Sequence, residues 1–525
     1  MQKKIISTQH EEIPSSQIPE YLRIQKFINN VIKEILQIQE FAKNNLKNPV
    51  TIFSSARTES PSPEYDQSYN LAYAFAKEGF QIMTGGGPGS MEASNKGALD
   101  ANKKNSFGIG IEVPFENKLN NYLTNSMMCK YFFTRKLGLM INSVALIVNP
   151  GGFGTLEELF EIVALKDRHP SLTIPIILTN KEYYQELITL LNSAHTEGYL
   201  KKEPSSLVSL ISDNNEIIKY VQNHQQSLAE ARNIDTDKLY EILSSQLLEL
   251  SDYHQPYITS IISSTTRIDP KTEHYENADS LSFQLSSLGI SLMFRSSDPF
   301  SRAITKGWQT ANVDAEDKDK TEKPVCLECV EDDYNKTTSK NNNVKLIKSM
   351  LLFEQKVIAT RNTNLGYIFF PGGSEVLDLF FELLCLKQTF KLKLPIPINT
   401  FYQLEKKYNI PYGTINDTLI ENEYINSFGQ LTQKFKPRSP SLHLHDSNIP
   451  ATLTDTIIQS LLKSQNIPLI LMDSSYWNKW DKYFKNTIIN SGAANSADLN
   501  LYRITDHVDV AISELLLYQK TLINW

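Results

Sequence analysis

The stretch IVNPGGFGTLEELFEI, residues 147–162, joins an apolar strand to a helix through a glycine-rich loop. The loop contains Gly151, Gly152 and Gly154. Glycines have no side chain, so their backbone amides can approach a ligand closely. The sequence after the glycines predicts that the helix begins at Leu156, with Thr155 as its N-cap. Free amides and the helix dipole favour an anion there, most often phosphate. No Lys-Ser/Thr follows, so the loop is not a P-loop.

The acidic residues of this helix allow two interpretations. Glu158 lies three residues after Thr155, where it can close a T-x-x-E capping box or serve in catalysis. The predicted buried stripe consists of Leu156, Leu159, Phe160 and Val163. Glu157 and Glu161 are then expected on a wetter face, as a solvated pair.

Strand and helix signals alternate on both sides of this stretch. The predicted strands are VTIFSS (50–55), FQIMT (80–84), SFGIGIEVP (106–114), VALIVN (144–149) and TIPIILTN (173–180). Continuous apolar strands separated by helices are typical of a doubly wound parallel sheet. Ligands bind such sheets beyond the carboxyl ends of the strands, where the glycine loops lie. The predicted fold class is therefore α/β.

A second glycine loop, TGGGPGSMEASNKGA (84–98), also follows a strand and opens a helix. Its glycines are Gly85, Gly86 and Gly87. Such a loop allows the backbone to approach a nucleotide closely. Glu92 lies in the first helical turn. Its presence there is explained equally well by a role in ligand binding and by a favourable interaction with the helix dipole.

The segment YFFTRK (131–136) supplies further candidates. Arg135 can contact phosphate or carboxylate in bidentate fashion, although a helix-surface arginine is usually only solvated. Phe132 can stack on a base or pack in the core.

The order of signals repeats about 210 residues later, after a helical connector at 226–253. IFFPGGSEVLDLFFEL (368–383) matches the opening stretch. We divide the chain into an N-terminal amphipathic helical segment (1–48), a first domain (49–225), the connector, and a second domain (254–525). The second domain carries an insertion at about 392–465. A further polar insertion, about 314–343, is expected as exposed loops.

Net charge, cysteine content and the distribution of apolar residues argue against several classes of protein. The 525 residues carry a net charge of -7, which argues against a general nucleic-acid binder. Four cysteines make no disulfide framework, and the lone CLEC pair at 326–329 is expected on a strand edge rather than on a metal. The absence of a signal peptide and of an apolar run of about 20 residues predicts a cytoplasmic protein without a membrane span.

Taken together, FSSAR (53–57), TGGGPGSMEA, YFFTRK and PGGFGTLEELFE resemble the LOG (LONELY GUY) proteins, once labelled lysine decarboxylases. The family signature is PGGxGTxxE with an upstream Arg-Lys pair, and it matches at 150–158 and 135–136. The resemblance covers about residues 49–220. It implies a Rossmann-like fold. It also implies an enzyme that hydrolyses a nucleoside 5′-monophosphate, here AMP-like, to free base and ribose 5-phosphate. Nothing marks a pyridoxal-phosphate lysine.

The resemblance also implies residue roles. Arg135 and Glu158 are the expected catalytic residues. The expected substrate-binding residues are Ser54, Gly85, Gly86, Gly87, Glu92, Phe132, Lys136, Gly151, Gly152, Gly154 and Thr155. No cofactor and no metal are expected.

The second copy departs from the signature. Gly85, Gly86 and Gly87 align with Arg295, Ser296 and Ser297, and Arg135-Lys136 aligns with Gln355-Lys356. Glu92 aligns with Arg302, and Gly154, Thr155 and Glu158 align with Glu375, Val376 and Leu379. We infer a pseudo-enzyme domain that pairs with the first as an intramolecular pseudo-dimer, and homo-oligomerisation stays open. The alternatives are a non-catalytic nucleotide sensor and a cytokinin riboside 5′-monophosphate phosphoribohydrolase.

Overall fold

The computed structural model describes residues 18–112, 119–168, 172, 174–224, 236–237, 240, 257–264, 272–295, 300–312, 326–331, 344–349, 362–388, 400–411, 413–425, 442–444, 448–464 and 466–523. Within these ranges, every helix is too short or too polar to cross a bilayer. Of the predicted connector at 226–253, nearly all lies outside the described residues.

The first domain is built on a parallel sheet with the strand order β4-β3-β2-β1-β5-β6-β7. The strands are β1 (Pro49–Phe53), β2 (Gln81–Thr84), β3 (Ser106–Ile111), β4 (Asn125–Cys129), β5 (Ala145–Val148), β6 (Ile176–Leu178) and β7 (Ser209–Leu210). Since β1 pairs with both β2 and β5, the sheet reverses its winding there. This switch point is where doubly wound sheets bind ligands.

Eight helices connect and cover these strands within the described residues. They are α1 (Ile18–Asn45), α2 (Pro63–Lys77), α3 (Ser90–Ala101), α4 (Phe132–Met140), α5 (Phe153–Arg168), α6 (Lys181–Thr196), α7 (Pro204–Leu207) and α8 (Asn214–His224). Local sequence explains their ends. Ser62 caps α2 by accepting a hydrogen bond from Tyr65 N at 3.2 Å, and Gly79, with φ of 89°, follows its last turn.

The second domain repeats the sheet strand for strand, in the order β11-β10-β9-β8-β12-β13-β14. Its strands are β8 (Ile258–Ser264), β9 (Ser291–Arg295), β10 (Cys326–Glu331), β11 (Val344–Ser349), β12 (Gly366–Gly372), β13 (Leu469–Met472) and β14 (Arg503–Thr505). All described pairings are parallel. The predicted fold class, two tandem Rossmann-like parallel-sheet domains, is confirmed.

The described α-helices of the second domain are α9 (Glu273–Ser287), α10 (Phe300–Ala311), α11 (Ser374–Gln388), α12 (Tyr402–Lys407), α13 (Thr414–Glu421), α14 (Thr454–Ser464), α15 (Ser474–Tyr483) and α16 (Val508–Ile523). Three of them, α12 to α14, lie within the stretch expected as an insertion. They share an apolar cluster of their own, which includes Phe401, Leu419 and Leu461. This small helical unit is thus distinct from the sheet that carries it.

One apolar core runs from the first domain into the second. Helices α5 and α11 pack against each other, and the rings of Phe160 and Phe381 stack with centroids 5.0 Å apart. Phe153 meets Phe484 edge-on at 5.2 Å. Such buried aromatic contacts make the two sheets a single packed body.

Equivalent lysines show how closely the two halves correspond. Lys166 on α5 donates to the carbonyls of Ile174 and Leu207, both at 3.0 Å. Lys387 on α11 donates to Ile467 at 2.8 Å and Leu501 at 2.9 Å. Burial lowers the pKa of each lysine to about 8. Both lysines therefore tie their helix to two neighbouring segments of their own domain.

Candidate functional site

Three loops meet at the carboxyl edge of the first sheet, beside the switch point. Ser54 follows β1, the triple-glycine loop follows β2, and the PGG loop follows β5. Ser90 N donates to the Ser55 carbonyl at 3.0 Å, and Asn149 N donates to the Phe53 carbonyl at 2.9 Å. The first loop therefore contacts both of the others, as the parallel fold requires.

The triple-glycine loop makes room for the arginine of α4. A Cβ atom at Gly85 would overlap Nη2 of Arg135. Gly86 has φ of 70°, a backbone conformation that side chains disfavour, and its N–H donates to Thr84 Oγ1 at 2.9 Å. A Cβ at Gly87 would lie 2.8 Å from Cε of Met91. The glycines are therefore needed for packing within the protein, in addition to any role in binding a ligand.

Arg135 and Glu158 face each other at this edge. Arg135 Nη1 lies 3.4 Å from Glu158 Oε1, and Arg135 Nε donates to the Ile109 carbonyl at 3.1 Å. The two side chains are only 9% and 12% exposed. Burial raises the pKa of Glu158 to about 7, although the charges of Arg135 and Lys136 oppose the rise. A carboxyl that titrates near neutrality beside a fixed arginine is suited to acid–base or electrostatic catalysis.

Helix α5 begins earlier than the sequence predicts. Its first residue is Phe153, and both Thr155 N and Leu156 N donate to the Gly152 carbonyl. Thr155 therefore lies inside the first turn and is not the N-cap. Because Glu158 pairs with Arg135, the capping-box interpretation is wrong for the described geometry.

The expected solvated pair, Glu157 and Glu161, is buried instead. Their residues are 0% and 8% exposed, because α11 of the second domain covers this face of α5. Lys136 Nζ contacts Glu157 Oε1 and lies 2.7 Å from Glu161 Oε2 and 3.4 Å from Glu382 Oε2. Lys136, which the resemblance places on the substrate, therefore faces a carboxylate cluster shared by both domains. The predicted apolar stripe of α5 is buried, as expected.

Ser54 carries an unusual hydroxyl. The residue is 6% exposed, and Oγ has no hydrogen-bond partner within the described part of the chain. A buried hydroxyl normally has a partner, so this one is available to a ligand at the switch point.

The PGG loop is shaped by its protein neighbours. A Cβ at Gly151 would overlap the side chain of Thr155, and one at Gly152 would overlap the carbonyl oxygen of Ala493 from the second domain. A Cβ at Gly154 would make only an ordinary contact, 3.6 Å from Sγ of Cys385. Two of the three glycines are therefore required by packing, and one of these by the second domain.

Two other predicted residues have protein partners. The Tyr65 hydroxyl donates to Glu92 Oε1 at 3.5 Å. Phe132 is buried, with Lys136 Nζ 4.9 Å and Arg135 Cζ 5.9 Å from its ring centroid. The described contacts thus bring Phe132, but not Glu92, next to Arg135.

Two residues that support the site were not predicted. Glu34 of α1 is buried and accepts hydrogen bonds from Lys130 N at 2.7 Å, from Tyr131 N at 3.2 Å and from Thr134 Oγ1. It thereby caps α4, whose own N-cap residue Tyr131 makes no side-chain cap. Tyr183 donates from its hydroxyl to the Gly151 carbonyl at 2.7 Å. Neither belongs to a recognisable motif, and only the tertiary fold brings them here.

The second copy differs from the first at two described positions of this site. Leu379 stands on α11 where α5 has Glu158, and Val376 stands where α5 has Thr155. The counterparts of two triple-glycine positions, at 296–297, and of the Arg-Lys pair, at 355–356, lie outside the described residues. The CLEC pair lies on β10, which pairs with both β9 and β11, so the expected strand edge is wrong.

One comparison, with a family model, matches part of the first domain. Residues 91–221 match the family model described as "Possible lysine decarboxylase". The Arabidopsis thaliana cytokinin riboside 5′-monophosphate phosphoribohydrolase LOG1 is 32% identical over 99 residues, 18% of this chain and 45% of that protein. LOG3 of the same plant is 22% identical over 179 residues, 33% of this chain and 82% of that protein. Rice (Oryza sativa subsp. japonica) LOGL2 is 30% identical over 96 residues, 17% of this chain and 37% of that protein.

The chain thus spans less than half the length of LOG1 and LOGL2. Among solved structures, the molybdenum cofactor carrier protein of Chlamydomonas reinhardtii is 20% identical with a TM-score of 0.26, covering 34% of this chain and 97% of that one. The molybdenum cofactor binding protein of Rippkaea orientalis is 21% identical with a TM-score of 0.26, covering 34% and 96%.

Proposed function

We propose that the first domain, which is similar to LOG proteins, hydrolyses the N-glycosidic bond of a nucleoside 5′-monophosphate, AMP-like in its base. The products are the free base and ribose 5-phosphate. In the reaction the C1′–N bond breaks and its electron pair goes to the base. A water oxygen bonds to C1′, and a proton ends on the base.

The observation that carries this proposal is the Arg135–Glu158 pair at the switch point, with the pKa of Glu158 raised to about 7. Positive charge develops on C1′ as the bond breaks, as in an oxocarbenium ion. The ionised carboxylate of Glu158 would stabilise that charge or take a proton from the attacking water. Arg135 would position the substrate, because its guanidinium is anchored on the Ile109 carbonyl.

The neighbouring loops would hold the rest of the nucleotide. The amides of the PGG loop lie at the start of α5, where the helix dipole favours the 5′-phosphate. Ser54 offers a buried hydroxyl whose hydrogen-bonding capacity is not used within the described residues. Binding energy from these remote contacts would orient the ribose at Glu158.

The second domain fits the role of a pseudo-enzyme partner. Its sheet has the strand order of the first, and Leu379 replaces the catalytic carboxylate. A tandem duplication would explain both features, and the packing of α5 on α11 supports an intramolecular pseudo-dimer. Removal of residues 254–525 should leave an insoluble or inactive first half, because Phe153 and Phe160 would lose their aromatic neighbours. A soluble, fully active fragment would contradict the pseudo-dimer.

A cytokinin riboside 5′-monophosphate is the second candidate substrate, and the names of the Arabidopsis relatives favour it. The chemistry is the same, and only the substituent on the base differs. A nucleotide sensor without turnover is the remaining alternative, which the degenerate second copy keeps open.

The test is release of base and ribose 5-phosphate from a panel of nucleoside 5′-monophosphates by the full chain. The panel includes AMP, the other common monophosphates and an N6-isopentenyl derivative of AMP. The largest kcat/KM identifies the base. Binding of a nucleotide without release would favour the sensor.

A further inference from the structure

Two ion pairs join α4 to α5 one residue apart. Arg135 pairs with Glu158, and the next residue on each side, Lys136 and Glu157, also pair. The first pair lies at the loop edge, whereas the side chains of the second are 3% and 0% exposed. Because each pair spans the same two helices, displacement of Lys136 from α5 would also move Arg135 relative to Glu158.

The second domain contributes directly to the buried pair. Lys136 Nζ lies 3.4 Å from Oε2 of Glu382, on α11. Burial opposes the charge on Lys136, but Glu157, Glu161, Glu382 and Asp378 outweigh burial and raise its pKa well above the ordinary value. Lys136 is therefore a fixed cation, held by carboxylates of both domains.

The second copy has retained the carboxylates that face this cluster. Glu157 and Glu161 of α5 align with Asp378 and Glu382 of α11, so both positions remain acidic. Glu158, which lies between them and faces the site, aligns instead with Leu379. The second copy thus has leucine at the position of Glu158 and acidic residues at the two flanking positions, of which Glu382 contacts Lys136 of the first domain.

We propose that Glu382 is a positioning residue for the first domain's site: from α11 it completes the carboxylate cluster that fixes Lys136, and Lys136 in turn fixes Arg135 relative to Glu158. This inference rests on the proposed function. It gives the pseudo-enzyme domain a defined part in the reaction, beyond covering an apolar face. It also assigns Lys136 to positioning rather than to substrate contact.

The experiment compares Glu382→Gln with Glu514→Gln in the full chain, using AMP hydrolysis as the assay. Glu514 is a matched control because it is a second-domain carboxylate paired with Arg503 of the same domain. We expect Glu382→Gln to lower kcat by about 10- to 100-fold with little change in KM. The reason is that moving a catalytic group by about 1 Å can lower the reaction rate by about 100-fold. Glu514→Gln should match the wild type.

The pH profile separates positioning from a general loss of stability. Arg135 and Lys136 both lower the pKa of Glu158, so their displacement should move the acid limb of kcat/KM to higher pH. A merely destabilised variant would lose activity without moving that limb. If Glu382→Gln does not fold, Glu382→Asp keeps the charge, withdraws it from Lys136 and should show a smaller shift in the same direction.

A double-mutant cycle completes the test. If Glu382 acts through Lys136, Glu382→Gln should have little further effect in a Lys136→Met background. Additive losses, or wild-type kcat and pH profile in Glu382→Gln, would overturn the inference while leaving the proposed function intact. A wild-type chain that hydrolyses no monophosphate would overturn the proposed function itself, and this inference with it.

Discussion

Phe160 and Phe381 stack at 5.0 Å, and each lies ten residues after the proline of its own PGG sequence, Pro150 and Pro371. Equivalent side chains of the two halves therefore meet each other, as they do on the twofold axis of a symmetric dimer. The contact links the sheet that carries the candidate site to the sheet of the second domain.

This stacking predicts a large effect of Phe381→Ala on stability. Phe381 is fully buried and also contacts Trp480 and Phe484, so the substitution should cost about 3–5 kcal/mol. The measurement is the midpoint of chemical unfolding. Phe283→Ala, at a residue that is 42% exposed, is the matched control and should change stability by less than about 0.5 kcal/mol. Equal midpoints for the two variants would refute the shared core.

Gly85→Ala should disable the site through Arg135. The new methyl group would overlap the guanidinium, so kcat/KM should fall by roughly 100-fold. The check is a cycle with Arg135→Ala, in which the two losses should not add. Additive losses would mean that Gly85 acts on the nucleotide and not on the arginine.

Glu34→Gln should weaken the site from the N-terminal helix. Loss of the buried carboxylate that caps α4 should destabilise the protein by about 1–3 kcal/mol and lower kcat. Thermal unfolding and steady-state kinetics measure the two effects. Glu40→Gln, on the exposed face of the same helix, should change neither. Normal kcat in Glu34→Gln would show that α4 keeps its position without this cap.

The sequence was sufficient to predict the fold class, because continuous apolar strands alternating with helices leave few other architectures. Arg135 and Glu158 were also nominated from their motifs, and the structure brings them together. The start of α5 and the burial of Glu157 and Glu161 were predicted wrongly. Helical periodicity assigns a polar face to solvent, and nothing local indicates that a helix more than 200 residues away covers that face.

Glu34 and Glu382 illustrate the same limit. Glu34 reaches α4 across about 100 residues of chain, and Glu382 reaches Lys136 across 246. A charged residue on a predicted amphipathic helix is ordinarily solvated, so neither stood out. Their positions depend on tertiary packing, which local pattern and motif spacing do not encode.

Activity should depend on the ionisation of Glu158. Burial raises its pKa to about 7, so the carboxylate is lost as pH falls through 7. We expect kcat/KM to decline about tenfold per pH unit below that value. Arg135→Gln should move this limb to higher pH, because Arg135 lowers the pKa. A profile that stays flat down to pH 5 would contradict the assignment of Glu158 as the titrating group.

The most direct measurement is the rate at which the full chain converts the preferred monophosphate to base and ribose 5-phosphate, beside Glu158→Gln at pH 8. We expect equal amounts of the two products from the wild type. We expect a loss of about 100- to 1,000-fold in the variant, with nucleotide binding retained. Equal rates for the two proteins, or nucleotide binding by the wild type without either product, would contradict the proposed hydrolysis and the role of Glu158.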